Sequence, residues 1–210
     1  MTSTGGQAIG LPPGASLATA GEDEAKYDSS NVVVKKLIAR LLHQLRLEVG
    51  PTAGIWVDVG IGEGLAAEAM RIDAGSLIGV EYRADKLATA LQRLPTASGI
   101  QADAGMLPFT DHSVDVVTCL EVLEHLVAPE RAVAELSRIC SGRCVVSVPW
   151  EPYFRLGNLC RGKDLGRWGN NPEHVQQFRP SSLGRLLQRS FAEVSVRPCF
   201  PWLIGVATPR

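Results

Sequence analysis

From Gly54 to Val148 the chain alternates short apolar runs with helical stretches, and this rhythm restricts the fold more than any other feature. Ile55–Val59, Ser76–Glu81, Gly99–Ala102, Val114–Leu120 and Cys144–Val148 read as strands. Helices are predicted near Glu63–Arg71, Ala84–Leu94 and Pro129–Ile139. Strands that are apolar on both faces and alternate with helices imply a parallel sheet covered on both sides. Right-handed crossovers then give a doubly wound α/β sheet, whose ligand site lies at the carboxyl ends of its strands.

The flanking segments read differently. Residues 1–25 are rich in Gly, Ala, Ser, Thr and Pro without a period, so a flexible tail is expected before a domain spanning 26–210. Val33, Leu37, Leu41, Leu45 and Val49 recur every fourth residue, which predicts an amphipathic helix with its core face on those positions and Ser30 or Asn31 as N-cap. After Pro149 the rhythm breaks. Residues from about 150 to 179 read as an insertion of loops and a short helix that covers the substrate pocket. A helix near Ser181–Ser190 and strands near Ala192–Arg197 and Leu203–Ala207 close the chain.

Composition narrows the functional classes. With 45% apolar and 20% charged residues, an ordinary globular domain is expected. A net charge of -1 argues against a broad electrostatic surface for nucleic acid. No apolar stretch is long enough to span a bilayer, and the N-terminus lacks the basic and apolar regions of a secretory signal. Cys119, Cys140, Cys144, Cys160 and Cys199 are an odd set, expected as free thiols in a cytoplasmic protein. Cys140 and Cys144 have no second ligand pair at metal spacing, so no metal is expected.

The strongest local signal is Val57-Asp58-Val59-Gly60-Ile61-Gly62-Glu63-Gly64, which follows a strand and opens a helix. A dinucleotide loop wants its third glycine one position later, where this chain has Leu65. Asp58 and Glu63 would repel a pyrophosphate and suit a cation, which favours S-adenosylmethionine over NAD. Glu81 ends the second strand, 19 residues after Gly62, where a carboxylate can accept both hydroxyls of a ribose. A plain surface acid fits the same position. Asp103 and Ala104, after the third strand, can read an adenine edge through a carboxylate and a backbone N–H; an Asp capping a turn also fits.

Taken in order, DVGIGEG at Asp58–Gly64, GVEYRADKL at Gly79–Leu87, QADAGMLPFTDHSVDVV at Gln101–Val117 and CLEVLEHL at Cys119–Leu126 resemble the class I S-adenosylmethionine-dependent methyltransferases of the small type 11 kind. VVSVPW at Val145–Trp150 fits the fifth strand. The resemblance implies a Rossmann-like, seven-stranded, mostly parallel sheet with its last strand antiparallel. It implies that Asp58, Gly60 and Gly62 cradle the methionyl end, Glu81 holds the ribose, Asp103 and Ala104 read the adenine, and Leu120 and Glu121 wall the methionyl side. S-adenosylhomocysteine is the implied product. Ile61 and Glu63 depart from the small or Thr-like residues frequent in similar loops.

Methyl transfer needs alignment and desolvation more than a strong base. His125, after the fourth strand, and His174, in the cover segment, are the candidate bases; bracing a loop and lying on the surface are their alternative roles. Tyr27 either closes over the cofactor or packs. Residues 150–189 carry seven cations (Arg155, Arg161, Lys163, Arg167, Arg179, Arg185, Arg189) against Glu151, Asp164 and Glu173, interleaved with Trp150, Tyr153, Phe154 and Trp168. That pattern suits an anionic small-molecule acceptor with an apolar body, an acidic lipid surface, or an ordinary solvated face. The expected activity is methyl transfer to an O, N or C nucleophile of a small molecule. A protein or peptide methyltransferase, a non-catalytic S-adenosylmethionine-binding module and an NAD oxidoreductase are the competing readings.

Overall fold

The computed structural model describes residues 31–72, 74–151, 153 and 175–210. Tyr27, His174, Cys160 and most of the 150–179 cover segment, like the N-terminal tail, lie outside the described residues.

Helix α1 spans Val32–Val49. Asn31 caps it as expected, its side-chain oxygen accepting from the N–H groups of Val33 and Val34. The core face differs from the every-fourth-residue reading. Ile38, Leu41, Leu45 and Val49 are buried, whereas Val33 is 64% exposed. A helix turns 100° per residue, so a strict spacing of four drifts off the contact stripe within three turns. Val33 alone leaves the predicted row: Leu37 packs half-buried against the core, and Ile38 joins it.

The sheet is built from β1 (Thr52–Val59), β2 (Ala74–Glu81), β3 (Ser98–Gln101), β4 (Val114–Leu120), β5 (Cys140–Pro149), β6 (Glu193–Cys199) and β7 (Trp202–Thr208). Helices α2 (Leu65–Met70), α3 (Ala84–Arg93) and α4 (Pro129–Ile139) connect the parallel strands, and α5 (Pro180–Gln188) precedes β6. The strand order is β3-β2-β1-β4-β5-β7-β6. Strands β1 to β5 pair in parallel, and β7 runs antiparallel to both β5 and β6. The doubly wound sheet and its antiparallel last strand therefore match the sequence reading.

Two apolar layers flank this sheet. One holds Val57, Val59, Val117, Cys119, Leu136, Leu183 and Leu203. The other seats α1, α2 and α3 through Leu41, Leu45, Met70 and Ala90 against Trp56, Val145 and Ile204. Alternate residues of β1 and β5 enter opposite layers, which is why those runs lack a polar face. Among the described residues no helix is long and apolar enough to cross a membrane. Cys119, Cys140, Cys144 and Cys199 are buried free thiols. Burial pushes Cys119 and Cys144 well above the ordinary thiol range, so they are poor nucleophiles.

Candidate functional site

Strand order reverses between β1 and β4, so the helices after these strands leave to opposite sides and a crevice opens at their carboxyl ends. The turn from β1 into α2 fills one wall of it. Gly60, Gly62 and Gly64 have φ of +77°, +58° and +80°. Gly60 is the most constrained: a Cβ there would meet Val122 Cγ2 at 2.3 Å, because the segment after β4 presses on the turn. The N–H groups of Gly60 and Ile61 both donate to Val80 O, at 2.7 and 3.1 Å, which binds the turn to β2. Ile61, unusual for such a loop, lies over Gly79 of β2, where any Cβ would meet its Cδ1 at 2.6 Å. The bulky residue in the turn is thus matched by a missing one in the strand.

Glu81, at the end of β2, reaches across to this turn. Its Oε2 accepts from Gly62 N at 3.0 Å and its Oε1 from Arg83 N at 3.0 Å. The turn and the carboxylate thus form one hydrogen-bonded unit. Arg93 of α3 donates to Glu63 O at 3.1 Å and closes the back of the turn.

Beneath the glycines, Asp58 is buried on β1. Its Oδ1 accepts from the Thr118 hydroxyl at 2.6 Å, and Trp56 Nε1 donates to the same Thr118 oxygen at 2.8 Å. Burial pushes the Asp58 carboxyl up to about 6; the Thr118 hydrogen bond opposes this and the charge of Glu81 adds to it. Sequence reasoning found Asp58 but missed Thr118 and Trp56. Thr118 is the one hydroxyl in the Val114–Leu120 run, a signal of a buried polar partner that could have been read.

The third group lies after β3. Ala102 N donates to Glu81 O at 3.2 Å, which places the following turn beside Glu81. Asp103 Oδ1 accepts from Gly105 N at 2.7 Å, and Asp103 and Met106 form an isolated bridge. Asp103 is exposed and Ala104 is half-buried.

After β4, Leu120 is half-buried and Glu121 takes φ of +58°. A left-handed non-glycine residue needs holding, and two bonds do so: Glu121 N donates to Ser147 O at 2.9 Å, and Trp202 Nε1 donates to Glu121 Oε2 at 2.9 Å. His125 ends the short 3-10 helix Leu123–His125. Gln176, where the chain returns from the cover segment, ties to this turn through Glu124 O, Leu126 O and Val127 O. The structure thus brings Asp58, Gly60, Gly62, Glu81, Asp103, Ala104, Leu120 and Glu121 to one end of the sheet, with His125 on the adjoining turn. Two concavities, beside Trp56–Arg71 and beside Val49–Thr52, lie nearer the opposite strand ends. We place the site at the carboxyl ends because the carboxylates, the glycine turn and the switch point converge there.

The acidic side chains gathered here determine which charge suits this end of the sheet. Asp58 lies beneath the turn, Glu63 within it and Glu81 against it; the N–H groups of Gly60, Ile61, Gly62 and Gly64 already donate within the protein, and no phosphate-cradling glycine follows Gly64. An ammonium or sulfonium fits this acidic surround, and a pyrophosphate does not.

A family model described as a methyltransferase domain matches residues 57–146. A Mycobacterium tuberculosis protein named "Probable S-adenosylmethionine-dependent methyltransferase" is 32% identical over 154 residues, covering 72% of this chain and 53% of the relative. A demethylmenaquinone methyltransferase of Renibacterium salmoninarum is 33% identical over 134 residues, covering 61% of this chain and 56% of that protein. The chain spans about half the length of these curated relatives. Among solved structures, the magnesium protoporphyrin IX methyltransferase of Synechocystis with bound S-adenosylhomocysteine superposes with a TM-score of 0.66 at 16% identity, covering 89% of this chain and 92% of that one. At that identity the likeness speaks for the fold.

Proposed function

We propose that this chain, a member of the class I S-adenosylmethionine-dependent methyltransferases of the type 11 kind, binds S-adenosylmethionine and moves its methyl group to a small-molecule acceptor. The observation that carries this reading is the glycine turn held by Glu81 at 3.0 Å and surrounded by Asp58, Glu63 and Glu81. Asp58, Gly60 and Gly62 would hold the methionyl end, Glu81 the ribose, and Asp103 and Ala104 the adenine. Leu120 and Glu121 would wall the reacting side. When bound there, S-adenosylmethionine supplies a methyl carbon activated by its sulfonium.

The chain's own task is to align the acceptor and keep water out. A carboxylate or thiolate acceptor needs no base. With a phenol or an amine, His125 or His174 would take the proton. Cations in the 150–189 sequence favour an acceptor that carries negative charge. The small-molecule class is supported by the quinone methyltransferases among the relatives, named for demethylmenaquinone and for ubiquinone biosynthesis.

Calorimetric titration with S-adenosylmethionine, S-adenosylhomocysteine and NADH tests the reading. Micromolar binding of both adenosyl ligands, lost in Glu81→Ala, is the expected result. Absence of adenosyl binding in the wild type would overturn it, and binding of NADH alone would redirect it to a dinucleotide enzyme.

A further inference from the structure

The turn after β3 continues into a loop, residues 103–111, that crosses the edge of α4. Its centre is Leu107, whose side chain is buried in the core. Burying Leu107 strips water from its backbone groups, which must then be satisfied by protein. One ion pair on α4 satisfies both. Glu135 Oε2 accepts from Leu107 N at 2.7 Å, and Arg138 Nη2 donates to Leu107 O at 2.9 Å. Arg138 Nη1 also donates to Phe109 O at 2.7 Å and to Asp111 Oδ1 at 2.8 Å. Nε and Nη2 each donate to Glu135 at 2.7 Å. These contacts engage the whole guanidinium fork, which offers five N–H donors. Glu135 is held below the usual carboxylate range, first by this fork. In sequence the pair is an ordinary i, i+3 match on a helix, which normally contributes only a few tenths of a kcal/mol. Here it is spent on the main chain of a loop.

We propose that Glu135 and Arg138 are positioning residues for base recognition: the fork fixes residues 107–109 and thereby sets where Asp103 and Ala104 stand. The proposal rests on the reading that these two residues read the adenine. Leu107 and Phe109 supply the loop's apolar anchors, and the fork ties its main chain to α4. Lysine cannot substitute, since an ammonium has three donors on one atom and cannot span Leu107, Phe109 and Glu135 together.

The test compares S-adenosylhomocysteine with S-inosylhomocysteine, its hypoxanthine counterpart, which presents a carbonyl where adenine has its amine. Wild type binds the adenine ligand preferentially. Arg138→Lys and Glu135→Gln weaken it by about tenfold to a hundredfold and narrow the adenine preference, as misplacing a recognition group does. A fork that merely stabilised the fold would weaken both ligands alike and leave their ratio unchanged, which overturns the proposal. If either variant does not fold, hydrogen exchange on the wild type decides: the Leu107 amide must exchange slowly in the free protein, and fast exchange overturns the proposal. Failure of the wild type to bind any adenosyl ligand is a different result. It removes the functional reading itself, and the proposal with it.

Discussion

Asp58 is a carboxylate kept where it costs stability. Its folded pKa of about 6 lies above the ordinary aspartate value, so the folded chain holds the proton more tightly than the unfolded one. The stabilisation is complete below about pH 4 and is lost as pH rises to about 6. Asp58→Asn keeps an oxygen for the Thr118 hydroxyl and removes the charge. The variant is expected to be more stable than the wild type at pH 7, by an amount on the order of 2 kcal/mol, and equal to it near pH 4. Melting temperatures of both proteins across that range check this. The same variant should bind S-adenosylmethionine more weakly above pH 6, where only the wild type presents a charge. Equal affinity would mean that the buried acid has no electrostatic role. Gly60→Ala acts through the backbone. A φ of +77° and the Val122 contact together should cost about 1–3 kcal/mol, read by urea denaturation, with loss of adenosyl binding in the fraction that stays folded.

At the scale of elements, periodicity found every strand of the parallel sheet, because β1, β4 and β5 each carry a mostly apolar buried run and the short, exposed β3 falls at the place the alternation with helices leaves for it. It was weaker where a tertiary partner supplies what the local sequence lacks. Ser141, Gly142 and Arg143 have little strand character, yet β5 starts at Cys140, since Cys140 pairs with Val114 and Arg143 with Val116 across a register shift. The glycine turn, Glu81 and Asp103 were legible because they sit at fixed offsets from strand ends. The Trp56–Thr118–Asp58 chain and the Glu135–Arg138 fork were not, since their partners are distant in sequence and meet only once the sheet is wound. Helix α1 gives the clearest test of an element read slightly wrong. Leu45 is 1% exposed and Val33 is 64% exposed. Leu45→Ala is expected to cost about 2–4 kcal/mol, and Val33→Ala less than about 0.5 kcal/mol. Comparable losses at both positions would restore the every-fourth-residue face.

For the molecule as a whole, the consequential feature is the insertion of the last strand between β5 and β6. That order brings the start of β7 alongside the end of β5, where Pro149 pairs with Trp202. Trp202 is thereby positioned to donate to Glu121 at the end of β4. A residue 81 positions downstream thus fixes the carboxylate of a residue on the proposed methionyl wall. The closing hairpin then braces a residue of the proposed site as well as forming an edge of the sheet. Trp202→Phe separates the two roles, since it keeps most of the buried aromatic surface and removes the N–H donor. If the hydrogen bond matters only to folding, the variant melts lower and binds S-adenosylhomocysteine as the wild type does. If it holds Glu121 for the ligand, stability changes little while affinity falls about tenfold, the worth of one charged hydrogen bond of roughly 1.5 kcal/mol. The second outcome is the one expected, because Ser147 O still holds the Glu121 backbone at φ of +58° in the variant, while its carboxylate loses the Trp202 donor.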